Sequence, residues 1–181
     1  MQSATRRRWK RWVGAALVAA ALIAAMFVPL DAGVTRIVSV VDIARPPQDV
    51  YAYVTTPANW PRWHPSSLAV SGDADHSLNV GETVVEDFQV AGRRGRATWR
   101  VTLREPAQRW RIAGQINGQD AGIVIYAVAP IEGGTHFQRE FEYGAHSLLF
   151  AFLNAVTLRR QIEEESAQAV RQLKANLESG R

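Results

Sequence analysis

A chain of 181 residues, 47% hydrophobic and 21% charged, has the length of one ordinary domain and enough apolar side chain to fill a core, which excludes a disordered chain and a multidomain assembly. Its formal charge of +4 sits at one end: Arg6, Arg7, Arg8, Lys10 and Arg11 are five of its 21 basic residues, and without them sixteen remain against 17 acidic ones. A nearly neutral body lacks the cation surplus that displaces counterions, so no nucleic-acid partner is expected, and the absence of cysteine excludes disulfides, thiolate metal sites and a cysteine nucleophile.

Residues 1–12 form a basic tail. The next eighteen, VGAALVAAALIAAMFVPL at 13–30, carry no charge and as a helix would rise about 27 Å, close to the thickness of a hydrocarbon layer. This predicts a transmembrane anchor or uncleaved signal, with a cleaved secretory signal as the competing reading. Retention is favoured because the run exceeds a signal core of about 7 to 15 residues and FVPLDAG offers no small-x-small cleavage site. Arginines on the near side place the N-terminus in the cytoplasm and the domain outside a single-pass cytoplasmic membrane, periplasmic or extracellular. Trp9 and Trp12 suit a headgroup-level aromatic belt.

The remainder, 31–181, is expected to be one α+β domain. Ile37, Ser39, Val41 and Ile43 alternate in a first strand that Pro46 and Pro47 end. Pro47 opens a short helix over QDVYAYV, and TPANWPRWHPSS makes a second helical turn and a loop. Strands follow at 83–91 and 96–105 around the turn AGRRG, then at 109–116, 122–130 and 135–143, with NGQD and EGG turns between; a further strand at 68–71 completes a sheet of about seven. From 147 to 178 apolar residues such as Leu149, Phe152, Val156, Ala169, Leu173 and Leu177 recur at helical spacing, predicting one helix about 45 Å long.

The segment IARPPQDVYAYVTTPANWPRWHP, with GTHFQREFEY before the final helix, resembles the START, Bet v 1 and polyketide cyclase/dehydrase (SRPBCC) superfamily over about residues 34–177. The resemblance implies the helix-grip fold, a curved antiparallel sheet around a long C-terminal helix, with a cavity at their junction that receives hydrophobic ligands. It implies no activity, because the fold hosts binders, cyclases and regulators alike.

The expected ligand-binding residues are Trp60, Trp63, His64, Trp99, Tyr126, Arg139 and Phe141. Trp60, Trp63 and His64 share a proline-bounded loop; the tryptophans either stack on a ligand or plug the gap between helices and sheet, and His64 is either an acid–base group or exposed. Trp99 shares a strand face with Ala97, Val101 and Leu103. Arg139 shares its face with Phe137, Phe141 and Tyr143, and a guanidinium there needs a partner: a ligand carboxylate or phosphate, or else Asp87 or Glu86. Tyr126 offers a hydroxyl to the same space. Arg93, Arg94 and Arg96 form a solvated hairpin tip or touch anionic headgroups, and Glu163, Glu164 and Glu165 form a solvated face paired with Arg159 and Arg160.

No nucleophile elbow, zinc-protease, P-loop or dinucleotide motif is present, and His64, His76, His136 and His146 lack metal-ligand spacing, so neither metal nor cofactor is expected. The expected function is membrane-tethered binding of a hydrophobic or amphipathic small molecule, lipid or polyketide-like. A cyclase- or hydrolase-type enzyme using His64 with Arg139 or Tyr126 is the first alternative, and a protein-interaction module with a filled interior the second.

Overall fold

The computed structural model describes residues 2–29, 31, 33–90 and 92–180, with side chains described from Trp12 onward. Helix α1 (Gln2–Met26) begins inside the basic tail and stops before the uncharged run does. Phe27 and Val28 donate to the carbonyls of Ala24 and Ala25 in tight three-residue turns that close the helix. The uncharged helical stretch after the basic cluster runs only from Trp12 to Met26, about 22 Å of rise against a hydrocarbon layer of about 30 Å. Among the described residues, no helix is long and apolar enough to cross a membrane, so the expectation of a spanning helix over 13–30 is not supported. Leu30, its expected end, and the side chains of the basic cluster lie outside the described residues.

The seven expected strands form one antiparallel sheet: β1 (Val34–Ile43), β2 (Ser67–Ser71), β3 (Thr83–Val90), β4 (Arg93–Glu105), β5 (Arg109–Ile116), β6 (Gln119–Ile131) and β7 (Gly134–Gly144). Their order across the sheet is β1-β7-β6-β5-β4-β3-β2, so the first strand closes onto the last and every later pair is a hairpin neighbour. The turns are tighter than AGRRG and NGQD suggested. Val90 pairs with Arg93, and Gly92 at φ +76° takes the left-handed position, so Arg93 and Arg94 join β4; Ala91, the expected end of the preceding strand, lies outside the described residues. Asn117 and Gly118, at φ 52° and 77°, make a primed two-residue turn that matches strand twist. Gln119 and Asp120 therefore belong to β6.

Between β1 and β2 the chain forms α2 (Pro47–Thr55), opened by its first-turn proline, and α3 (Trp60–Trp63). Both lie on the concave face of the sheet, where Val50, Val54, Trp60 and Trp63 join Trp110, Ile112 and Phe137 in the core. The C-terminal helix is continuous but not uniform. It runs as α4 (Leu148–Leu153), a π-helical turn (Asn154–Leu158) and α5 (Arg159–Ser179). Ser147 Oγ accepts from the Phe150 N–H at its start, and Gly180 ends it at φ 72°. The wider π turn rotates the helix face relative to an unbroken 3.6-residue period. Phe152 and Val156, expected inward, are each 60% exposed, whereas Ala169, Val170 and Leu173 pack into the core beyond the turn.

Candidate functional site

A cavity of about 630 Å³ lies between the concave sheet, α3 and the C-terminal helix. Its volume is in the range of small-molecule sites. Phe88, Ile112, Ile116, Phe150 and Leu153 supply apolar wall, and the exposed residues Arg93, Gln119 and His146 rim its opening. All seven residues expected at a ligand site line it: Trp60, Trp63, His64, Trp99, Tyr126, Arg139 and Phe141.

The tryptophans are core residues and cavity wall at once. Trp60 donates its indole N–H to the Val54 carbonyl at 2.9 Å and meets Trp110 edge-on at 6.3 Å. Trp63 is fully buried, 6.0 Å from the Tyr126 ring and 5.5 Å from His64, and its Nε1 has no partner among the described residues. Tyr126 stacks on Trp110 at 5.5 Å. This aromatic layer closes the gap between α3 and the sheet and forms the floor of the cavity.

Three ionisable groups meet above that floor. Arg139, 6% exposed, donates through Nη1 to Ser166 Oγ at 3.0 Å and lies 5.7 Å from the Phe141 ring centre, while its Nε has no partner among the described residues. Burial draws its pKa below the usual guanidinium value, against the opposing pull of Tyr126 and Glu86. Glu86 accepts from Trp99 Nε1 at 2.7 Å; burial raises its carboxyl pKa, and hydrogen bonds from Ser67 and Trp99, with the charge of Arg139, hold it down. His64 accepts the Ser66 backbone N–H at Nδ1, 3.3 Å away, which assigns its proton to Nε2. Burial, and then the nearby Arg139, push its pKa well below 6.5, so it is neutral. Burial likewise lifts the Tyr126 hydroxyl to about 12 and keeps it protonated.

Two expected pairings are corrected. Asp87 does not reach Arg139: strand alternation puts it on the outer face, where Arg96 donates to it at 2.8 Å. Glu86 faces inward but bonds Trp99, and Arg139 forms no ion pair among the described residues. The acidic run on α5 also splits. Arg159–Glu163 and Arg160–Glu164 pair at 2.8 and 2.9 Å, but Glu165, one step of helix rotation further, turns to the cavity and accepts from Ser66 Oγ at 2.6 Å. Arg94 bonds Gln89, and Arg93 stands at the rim.

Among site residues the sequence reading missed, Phe88 was findable, since it shares inward parity with Val84 and Glu86. Phe150 and Leu153 carried no signal, because the apolar run LLFAFL at 148–153 does not say which of its side chains faces the sheet.

A curved antiparallel sheet gripping a long terminal helix over an apolar cavity defines a helix-grip protein. Residues 34–178 match the family described as polyketide cyclase/dehydrase and lipid transport, and the chain belongs to that family. Among solved structures it is similar to the ZhuI aromatase/cyclase of Streptomyces sp. R1128, with a TM-score of 0.65 and 14% identity, covering 81% of this chain and 94% of that one. A Rhodobacter sphaeroides protein gives 0.60 and 23%, covering 81% and 94%. The Aha1 dimer of Colwellia psychrerythraea gives 0.57 and 18%, covering 81% and 98%. At these identities the likeness establishes the fold. No curated protein matches the sequence.

Proposed function

We propose that this protein binds a hydrophobic or amphipathic small molecule in the sheet–helix cavity and works attached to a membrane. The observation that carries the reading is Arg139: a guanidinium in the interior, on a cavity wall, without a carboxylate paired to it. Burying an unpaired charge is costly, and a ligand head offsets that cost while its tail is buried against Phe88, Ile112 and Leu153. Each methylene removed from water contributes about 0.8 kcal/mol. A cavity of about 630 Å³ does not fit an interaction module with a filled interior.

Attachment is supported by α1. Leu17, Leu22 and Ile23 on this helix and Phe27 just after it are 58 to 67% exposed, a run of apolar surface that a lipid interface would cover, behind a basic segment suited to anionic headgroups. Flotation of the full chain with anionic vesicles tests this. Co-flotation that is lost on Leu17→Asp with Leu22→Asp is expected, and a chain that stays at the bottom of the gradient overturns it. Ligand binding is tested by solvent extraction of the purified protein and mass spectrometry, where an apolar or amphipathic species at near-stoichiometric yield is expected.

An enzymatic reading has one observation in its favour: His64, Tyr126 and Arg139, the groups it requires, share one cavity. Turnover of a polyketone or ester probe that disappears on His64→Gln would favour it over simple binding.

A further inference from the structure

The polar atoms of the cavity are unbalanced in kind. Three buried N–H donors on its lining lack an acceptor among the described residues: Trp63 Nε1, His64 Nε2 and Arg139 Nε. The lining carboxylates are served from within the protein, Glu86 by Trp99 and Glu165 by Ser66. The buried polar atoms of Tyr53 and Arg104 that lack a partner among the described residues do not line this cavity.

The three donors belong to one locale. The Trp63 ring lies between His64 and Tyr126, at 5.5 and 6.0 Å, and Arg139 is close enough to both His64 and Tyr126 to perturb them electrostatically. The His64 assignment follows from geometry, because a ring nitrogen that accepts the Ser66 N–H leaves the other as the donor. Buried donors without acceptors are as costly as lost hydrogen bonds, and one group that only accepts would satisfy all of them together. Arg139 already feels Glu86 across the cavity, so a head with one negative charge is the most this locale can offset, and a second would be left uncompensated in an apolar space.

We infer that the cavity selects a monoanionic amphipath, an aliphatic or aryl carboxylate whose oxygens accept from Arg139, His64 and Trp63 while its tail lies along Phe88, Ile112 and Leu153. This deepens the binding reading above and rests on it. It assigns the head-group site to the convergence of the C-terminal helix, α3 and β7, and makes His64 a neutral hydrogen-bond donor.

The test uses the full chain and four probes of one tail length below their micelle concentrations: dodecanoate, methyl dodecanoate, dodecylamine and dodecyl phosphate. Binding is followed by quenching of intrinsic tryptophan fluorescence. Dodecanoate is expected to bind about tenfold or more tighter than its methyl ester, with the amine weakest. Arg139→Gln should erase that preference while ester binding persists. Trp63→Phe, which keeps a ring in the core and deletes the N–H, should weaken dodecanoate severalfold more than it weakens the ester, a check that stands if Arg139→Gln proves misfolded by circular dichroism. Equal affinity for acid, ester and amine would overturn the anionic head while cavity binding stands. Tighter binding of the phosphate than of the carboxylate would overturn the monoanion. Failure of all four to bind would instead overturn the cavity-binder reading.

Discussion

Tyr143 donates its hydroxyl to Asn154 Oδ1 at 2.7 Å, at the residue where the C-terminal helix passes from α to π geometry. Asn154 is 8% exposed and hands the chain of hydrogen bonds on, donating through Nδ2 to Thr35 at 2.9 Å. One side chain therefore ties the helix to β7 and β1, and the extra residue of the π turn is what brings its amide to both. Asn154→Leu leaves the Tyr143 hydroxyl without its acceptor, at a cost of about 1–3 kcal/mol. Tyr143→Phe should cost about 1 kcal/mol, because Asn154 keeps Thr35. Urea denaturation of both variants checks the ordering, and equal losses would mean the amide does not bridge.

Gly114 holds the cavity wall in shape. An added Cβ there would fall 2.5 Å from Trp99 Cζ3, so the Trp99 ring lies against the bare backbone of β5. Gly114→Ala is expected to displace the ring, disturb the Trp99–Glu86 hydrogen bond and destabilise the fold by about 1–3 kcal/mol, lowering Tm by roughly 2–4 °C per kcal/mol. Scanning calorimetry measures the loss, and near-ultraviolet circular dichroism reports the ring. An unchanged aromatic spectrum would show that the strand gives way instead.

These contacts mark where sequence reasoning stops. The alternation of Ala97, Trp99 and Val101 and of Phe137, Arg139 and Phe141 places inward residues because a strand allows two faces only, and so the sheet and much of the cavity wall were legible. The partner of Arg139 was not. Parity separates Asp87 from Glu86 but does not say that an indole N–H occupies the Glu86 carboxylate. Glu165 looked like its neighbours because three consecutive glutamates share one solvated pattern until a helix axis fixes which of them faces inward. The inward set of the C-terminal helix was illegible for a different reason: the expected period assumes an unbroken α-helix, and the tertiary hydrogen bonds of Asn154 go with a π turn that shifts it.

The two perturbed acid–base groups of the cavity push stability in opposite directions as pH falls. His64 has its folded pKa depressed below 6.5, so the unfolded chain takes up its proton first. Its contribution is intact above about 6.5 and is lost as pH falls below that value, at about 1.4 kcal/mol per pH unit until the folded pKa is reached. Glu86 has its folded pKa raised above 4.5, so its ionised form costs stability at higher pH and the cost fades as pH falls toward 4.5. His64→Gln should flatten the decline below pH 6.5, whereas Glu86→Gln should steepen it. Urea midpoints from pH 5 to 8 for the three chains decide it, and parallel curves would show that neither group titrates differently on folding.

Glu86 also supplies a sign test for the head-group site. Its charge acts on Arg139, and a ligand carboxylate arriving at the guanidinium would be repelled by it. Glu86→Gln removes that repulsion and keeps an oxygen for the Trp99 indole, so the wall is preserved. Dodecanoate should then bind several-fold tighter at pH 8, with the gain shrinking as pH falls and the native carboxyl becomes protonated. Arg139→Gln moves affinity the other way. Isothermal titration in two buffers of different ionisation enthalpy adds a second readout, since protonation of Glu86 on binding should make the native protein take up more proton than the Glu86→Gln variant. Weaker binding by that variant would mean that the carboxylate of Glu86 helps to hold the ligand, and the head would then have to carry donors of its own.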